Sequence, residues 1–218
     1  MVIVGISDIH GHIEAIENAS EILSKADLVL ITGDITHFGR REDAESIIDK
    51  VKCYSKQLYA VPGNCDYPEV GSYLSIESIS LDGQCAVIDN FAFIGIGGSL
   101  PCPGKTPNEY TEEDFAVMMN ELKKKIPKDL PCILITHQPP FGTRCDLVRS
   151  GEHVGSRALR SFIIEKKPLL CFSGHIHEAH GVDTIGITKV VNPGPLLHGG
   201  YALADIAKER VKVSIPVW

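Results

Sequence analysis

Seven side chains that can offer oxygen or nitrogen to a cation stand directly after short apolar runs. They are Asp8 and His10 in Ser7-Asp8-Ile9-His10-Gly11, Asp34 in Gly33-Asp34-Ile35-Thr36, Asn64 in Gly63-Asn64-Cys65-Asp66, His137 in Thr136-His137-Gln138, and His175 and His177 in Ser173-Gly174-His175-Ile176-His177. Taken singly, each has an ordinary explanation. An Asp or Asn after a strand is commonly a turn residue or a helix cap, and His-x-His at strand spacing sends two rings to one face. Taken together they form a donor set in which none is a thiolate. Seven donors exceed the three or four that one tetrahedral ion takes, and suit two octahedral or five-coordinate ions sharing a bridge. Such a pair activates water directly, so no Ser, Cys or Lys nucleophile is needed.

Donors of this kind need a sheet to hold them. Val2 to Ile6 and Leu28 to Ile31 are β-branched or leucine-rich runs that read as buried strands, and Gln57 to Val61 is a third, stopped by Pro62-Gly63. Between them, Ile13, Ile16 and Leu23 mark one helix over Gly11 to Ser24, and Ala44, Ile47, Ile48 and Val51 mark an amphipathic second. The β-α-β-α-β order implies a parallel sheet with helices against it. In such sheets, ligands bind outside the carboxyl ends of the strands, which is where the donors stand.

Further along, Ile76 to Leu81, Cys85 to Ile88 and Phe91 to Ile96 read as short strands, followed by a Gly- and Pro-rich loop from Gly97 to Asn108. Thr111 opens a helix to about Lys125, with Asp114 completing a capping box. Cys132 to Thr136 and Leu169 to Phe172 read as strands flanking a helix over Arg157 to Glu165. Short strands are expected around Val182 and over Thr188 to Val191, Tyr201 to Ile206 and Val211 to Ile215. No repeat or linker interrupts the chain, so residues 1–218 read as one α/β domain with two sheets.

Composition narrows the function classes. With 21 basic and 28 acidic residues the formal charge is -7, and no Lys/Arg cluster offers a grip on a phosphate backbone, which disfavours nucleic acid as a partner. No run approaches the roughly 18 apolar residues of a membrane span, and MVIVGI followed by Asp8 lacks the form of a secretory signal. The seven cysteines are odd in number and never paired as CxxC, which suits a reducing cytoplasm and argues against a disulfide framework or a thiolate zinc site.

The series DIH, GD, GNCD, TH and GHIH resembles the calcineurin-like metallophosphoesterase superfamily, whose motifs run DxH, GDxx, GN[HD]x, His and GHxH in this order. The segment from His137 through HVGS to GHIHEAHGV and VVNPGPL is also similar to a subgroup of small single-domain phosphoesterases. The resemblance implies a four-layer α-β-β-α sandwich with two mixed sheets. It implies that Asp8, His10 and His177 hold one ion and that Asn64, His137 and His175 hold the other. Asp34 would bridge them, and Asp34, Asn64 and His137 would be the catalytic group. The implied ions are Mn or Fe, with Zn, Ni, Co or Mg as alternatives.

A small phosphate ester, monoester or diester, is then the expected substrate, attacked by a hydroxide bridging the metals. Two divalent ions bring about +4, Asp8 and Asp34 about -2, and a hydroxide leaves a surplus of about +1 for a phosphate anion. His12, Cys65, His153 and Arg144 are candidate substrate contacts, with His37 and Arg149 behind them. His180 and His198 read as structural or solvated, and Asn192-Pro193-Gly194 reads first as a turn. Where many members place His after the motif Asn, this chain has Cys65. A thiol with a reference pKa of about 8.5 is a poor acid near neutrality, so leaving-group protonation is expected to be weak. The competing expectations are a metal-binding scaffold of the same fold with little catalysis, and a repair-type nuclease, which the acidic composition opposes. A homo-oligomer stays open.

Overall fold

Alternation along the first strand organises the molecule. The computed structural model describes residues 1–207 and 210–215. In β1 (Val2–Ile6), Ile3 faces one side and Val4 and Ile6 the other, and all three are fully buried. Val4 and Ile6 join Val29 and Ile31 of β2 (Leu28–Thr32) and Ala60 of β3 (Leu58–Val61) beneath four helices. These are α1 (Ile13–Asn18), α2 (Ser20–Lys25), α3 (Arg41–Lys52) and α4 (Pro68–Ile76), which contribute Ile16, Leu23, Ile47, Ile48, Val51, Val70, Tyr73 and Leu74. A layer buried on both faces explains why these strands read as continuous apolar runs.

The chain continues through β4 (Cys85–Ile88), β5 (Phe91–Ile96), α5 (Glu112–Lys125), β6 (Cys132–Thr136), α6 (Arg157–Lys166), β7 (Leu170–Phe172), β8 (Gly181–Ile185), β9 (Thr188–Asn192), β10 (Ala202–Ala207) and β11 (Arg210–Ser214). One sheet has the order β11-β10-β1-β2-β3 and the other β4-β5-β6-β7-β9-β8. Both are mixed: β1-β2-β3 and β5-β6-β7-β9 are parallel, while β10, β11, β4 and β8 add antiparallel edges. Between the sheets Ile3, Leu28, Leu30 and Val61 meet Phe93, Ile133, Ile135, Leu170 and Phe172. The outer face of the second sheet packs Ile94, Leu134 and Cys171 on Phe115, Met119 and Leu122 of α5 and Leu159, Phe162 and Ile163 of α6. The result is the expected four-layer α-β-β-α sandwich.

Three local expectations are corrected. The helix expected over Gly11 to Ser24 begins at Ile13 and is two helices, because the chain turns at Ala19 (φ -88°, ψ 0°), with Ile16 and Leu23 both in the core. Ile76 to Leu81 is not a strand. Ile76 ends α4, Ser78 has a left-handed φ of 58°, and Ser80 makes only an isolated bridge to Ala60. The signal for α4 was Pro68 at its first turn followed by Val70, Tyr73 and Leu74 at helical spacing. Leu169 lies just outside β7.

Candidate metal centre

All seven donors lie where both sheets end, five strands contributing. β1 runs into Asp8 and His10, β2 into Asp34, β3 into Asn64, β6 into His137, and β7 into His175 and His177. The segments are cross-tied by backbone bonds: Asp8 N–H to Gly33 O (3.1 Å), His10 N–H to Asp34 O (2.9 Å) and Gly174 N–H to His137 O (3.0 Å). Asp8, His10, Asp34 and His175 all have left-handed backbone, with φ between 48° and 69°. Non-glycine residues adopt this region at a cost of about 1 kcal/mol or more each, so their gathering at one point marks a site that the fold holds against local preference. Close approach explains two glycines. A Cβ on Gly63 would lie 2.0 Å from Asp34 Oδ1, and one on Gly174 would lie 1.9 Å from Ser7 Oγ and 2.8 Å from Asp8 Oδ2.

The donors lie in overlapping clusters. On one side, His10 Nε2 is 3.4 Å from His177 Nε2, and His177 Nε2 is 3.3 Å from Asp8 Oδ1. On the other, His137 Nε2 is 2.8 Å from Asn64 Oδ1, and the His137 and His175 ring centroids are 5.0 Å apart. Asp34 stands between them, with Oδ2 3.7 Å from His10 Nε2 and Oδ1 3.5 Å from His137 Nε2. Ligand atoms of Asp8, His10 and His177, of Asp8, Asp34 and His137, and of His10, Asp34 and Cys65 lie within 4.8 Å of one another in each trio.

Burial sets the charges. It pushes His10 down to about 4 and His175 down to about 3, leaving neutral rings able to coordinate. It also pushes Asp34 up to about 6, with Asp8 and Asp66 adding repulsion while His137 opposes them. Burial acts the same way on Asp8, but the His177 hydrogen bond and the charges of His137 and His177 outweigh it and hold Asp8 below the carboxylate range. His177 is raised chiefly by that bond to Asp8.

The fit to cations can be tested on one contact. His137 Nδ1 lies 2.8 Å from the Thr32 carbonyl, which can only accept, so Nδ1 carries a proton. A neutral ring then presents a lone pair on Nε2 toward Asn64 Oδ1, whose amide nitrogen is turned to Cys65 Sγ. Nε2 is then the ring nitrogen left to ligate a cation, with Asn64 Oδ1 beside it at 2.8 Å. Imidazole nitrogens, carboxylates and an amide oxygen gathered in this way fit divalent cations.

Supporting residues were only partly visible in the sequence. Asp66 is a fully buried carboxylate that accepts from Ile35 N, Thr36 N, Thr36 Oγ1 and Gly63 N at 2.7 to 3.1 Å, joining the loops that carry Asp34 and Asn64. Asn192 donates to the Ile176 and Gly174 carbonyls (2.8 and 3.4 Å), steadying the segment that carries His175 and His177. Asp146 accepts from Gly142 N, Thr143 N, Gly155 N and His153 Nδ1 and folds the loop after β6. Cys102 Sγ lies 3.5 Å from His175 Nε2. Cys102 had no sequence signal, since it meets a ring remote in the chain, whereas Asp146 closes a local capping box with Thr143 that was legible in principle.

Of the expected substrate contacts, Cys65 is buried in the centre, with its N–H donating to Asp34 Oδ1 (2.8 Å). Burial first, and then Asp34, push its thiol well up. His12 stands half-buried at the start of α1, Arg144 is tied by its N–H to Asp183, and His153 is paired with Asp146 at 2.8 Å. A cleft of about 1050 Å³ opens beside His177, and its lining includes Arg149, His180, His198, Leu147 and Pro195.

Comparison with known proteins places this geometry. A family model described as calcineurin-like phosphoesterase matches residues 1–179. An uncharacterized protein of Methanocaldococcus jannaschii is 39% identical over 215 residues, covering 97% of this chain and 94% of its own. A probable glycerophosphodiester phosphodiesterase of Arcobacter nitrofigilis is 26% identical over 78% of this chain and 64% of its own length. Among solved structures, a dimetal phosphatase from Danio rerio shares the fold with a TM-score of 0.70 at 15% identity, over 98% of this chain and 95% of its own.

Proposed function

This chain belongs to the calcineurin-like phosphoesterases, which are metal-dependent phosphoric ester hydrolases, and on that premise we propose that it hydrolyses small-molecule phosphodiesters or phosphomonoesters with two divalent ions. The observation that carries the dinuclear reading is the division of Asp34, one oxygen toward His10 and the other toward His137. Asp8, His10 and His177 would hold one ion, and Asn64, His137 and His175 the other, with Asp34 between them. Oxygen and imidazole donors favour Mn or Fe, with Zn, Co, Ni or Mg as alternatives. When bound, two such ions supply an acidified water and positive charge for the phosphate oxygens.

The chain's own residues do the positioning. The Thr32 carbonyl fixes the tautomer of His137, so that Nε2 faces inward. Asp66 holds the loops of Asp34 and Asn64 in register. Asp34, Asn64 and His137 form the catalytic group, and their burial keeps competing water out. The cleft beside His177 opens the centre to solvent on that side. The phosphodiesterase and phosphatase among the similar proteins support ester hydrolysis of this kind. We place the reaction in a single domain over residues 1–218 and, given seven free thiols, in the cytoplasm.

Elemental analysis of the purified protein tests the dinuclear reading. About two ions per chain are expected after loading, with Asp34→Asn losing at least one. One ion in the parent, or two retained in Asp34→Asn, contradicts it.

A further inference from the structure

We propose that His37 and Phe38 form an aromatic platform at the rim of the metal centre that receives a planar ring carried on the substrate's ester group. This inference rests on the phosphoesterase reading and names a substrate class for it. Three rings run outward from the site. The His10 and His37 centroids are 5.4 Å apart at 76°, and the His37 and Phe38 centroids are 4.9 Å apart at 74°. The inner ring is the one whose Nε2 faces Asp34 and His177. The outer ring is 46% exposed, His37 before it is exposed as well, and the loop residues 33–36 that lead to them are buried.

An exposed Phe is by itself unremarkable, but this one also has a left-handed backbone, φ 56°. Asn, Asp and Gly accept that region readily, whereas a bulky ring does so only where the surroundings impose it. The surroundings are visible. Thr36 is fastened to Asp66 through its N–H (2.8 Å) and hydroxyl (2.7 Å). Gly39 N–H returns to Thr36 Oγ1 (3.1 Å), and Arg40 N–H is fixed to Asp43 (2.8 Å). His37 and Phe38 are the two residues spanning these anchors, so the loop presents them rigidly. The structure thus holds an apolar ring facing water in an unfavourable backbone, linked through His37 to His10 of the candidate centre. A ligand ring stacked on it would bury that face and orient the phosphate inward. Nucleobases and aryl groups both supply such a ring.

Paired esters with matched leaving groups separate ring recognition from chemistry. Adenosine 5′-phosphate is compared with ribose 5-phosphate, and 3-phenylpropyl phosphate with propyl phosphate, each also as its methyl diester. The parent should show a lower KM for the ring-bearing member. In Phe38→Ala that KM ratio should collapse about tenfold, as expected for loss of one stacking contact, with kcat little changed, and Phe38→Tyr should restore it. A response in the adenosine pair alone identifies a nucleobase, and in the phenyl pair alone an aryl group. Phe38→Asn, which tolerates the left-handed backbone, should melt at or above the parent temperature. KM ratios that do not depend on the ring at position 38, or a fall of more than about 5 °C in Phe38→Asn, would overturn the platform while leaving the phosphoesterase reading intact. Absence of hydrolysis across all esters and metals would overturn both.

Discussion

At the scale of single residues, the centre depends on atoms that have no alternative partner. Asp66 shows this most clearly, since four donors converge on a carboxylate with no exposure. Asp66→Asn turns one acceptor into a donor facing N–H groups, and is expected to cost about 3 kcal/mol. The loss should appear as a lower denaturation midpoint, together with a fall in kcat as the Asp34 and Asn64 loops loosen. An unchanged midpoint would deny Asp66 this role. Cys65 marks a different limit. Its thiol is buried against Asp34 and holds its proton, which makes it a poor acid toward an alkoxide leaving group. Cys65→His should raise turnover of alkyl esters relative to aryl esters, and an unchanged ratio would contradict the reading. Both residues were visible in the GNCD motif, but only the structure shows that Asp66 ties two loops together.

At the scale of elements, the positions legible in advance were those set by short-range pattern. The strands leading into Asp8, Asp34, Asn64, His137 and His175 announced themselves as apolar runs, and the alternation of Ile3 against Val4 and Ile6 accounts for the two-sided burial. α5 was legible from Thr111 and Asp114, whose reciprocal capping bonds are present. Thr111→Ala should cost about 1 kcal/mol in a chemical melt. Asp114 is held below its ordinary value of 3.8 by the Thr111 N–H and hydroxyl. Its folded value is the lower one, so its contribution is complete above about pH 4 and lost as pH falls through the folded value. The melting difference between the parent and Asp114→Asn should therefore be constant near neutrality and shrink in acid; a difference that widens in acid would refute this sign. What stayed hidden were elements fixed by side-chain contacts that leave no periodic pattern in the sequence. The loop after β6 folds around Asp146, which gathers Gly142, Thr143, His153 and Gly155. The break between α1 and α2 at Ala19 serves a shared core, not a local breaker residue.

At the scale of the whole molecule, the net charge of -7 is compatible with a phosphate substrate because the sign is set locally. Asp8 and Asp34 are buried where the two sheets meet, beside the rings of His10, His137, His175 and the more exposed His177, so bound ions also stabilise the fold. Saturation at a hundredfold excess over Kd contributes about 2.7 kcal/mol per site. For a chain of this size each kcal/mol moves the melting temperature by about 2–4 °C. With two sites, chelation should accordingly lower it by about 10–20 °C, reversibly on reloading, and a melting curve indifferent to chelation would contradict metal binding at this site. The described residues include no helix long and apolar enough to cross a membrane, and a cleft of about 1050 Å³ opens beside His177. The most direct measurement is hydrolysis of chromogenic phosphomonoesters and diesters by metal-stripped protein reloaded in turn with Mn, Fe, Co, Ni, Zn and Mg, with Asp34→Asn beside it. Turnover that returns with at least one of these ions and is absent from Asp34→Asn is the predicted result; no hydrolysis with any ion, or equal hydrolysis by Asp34→Asn, would contradict a phosphoesterase centred on Asp34.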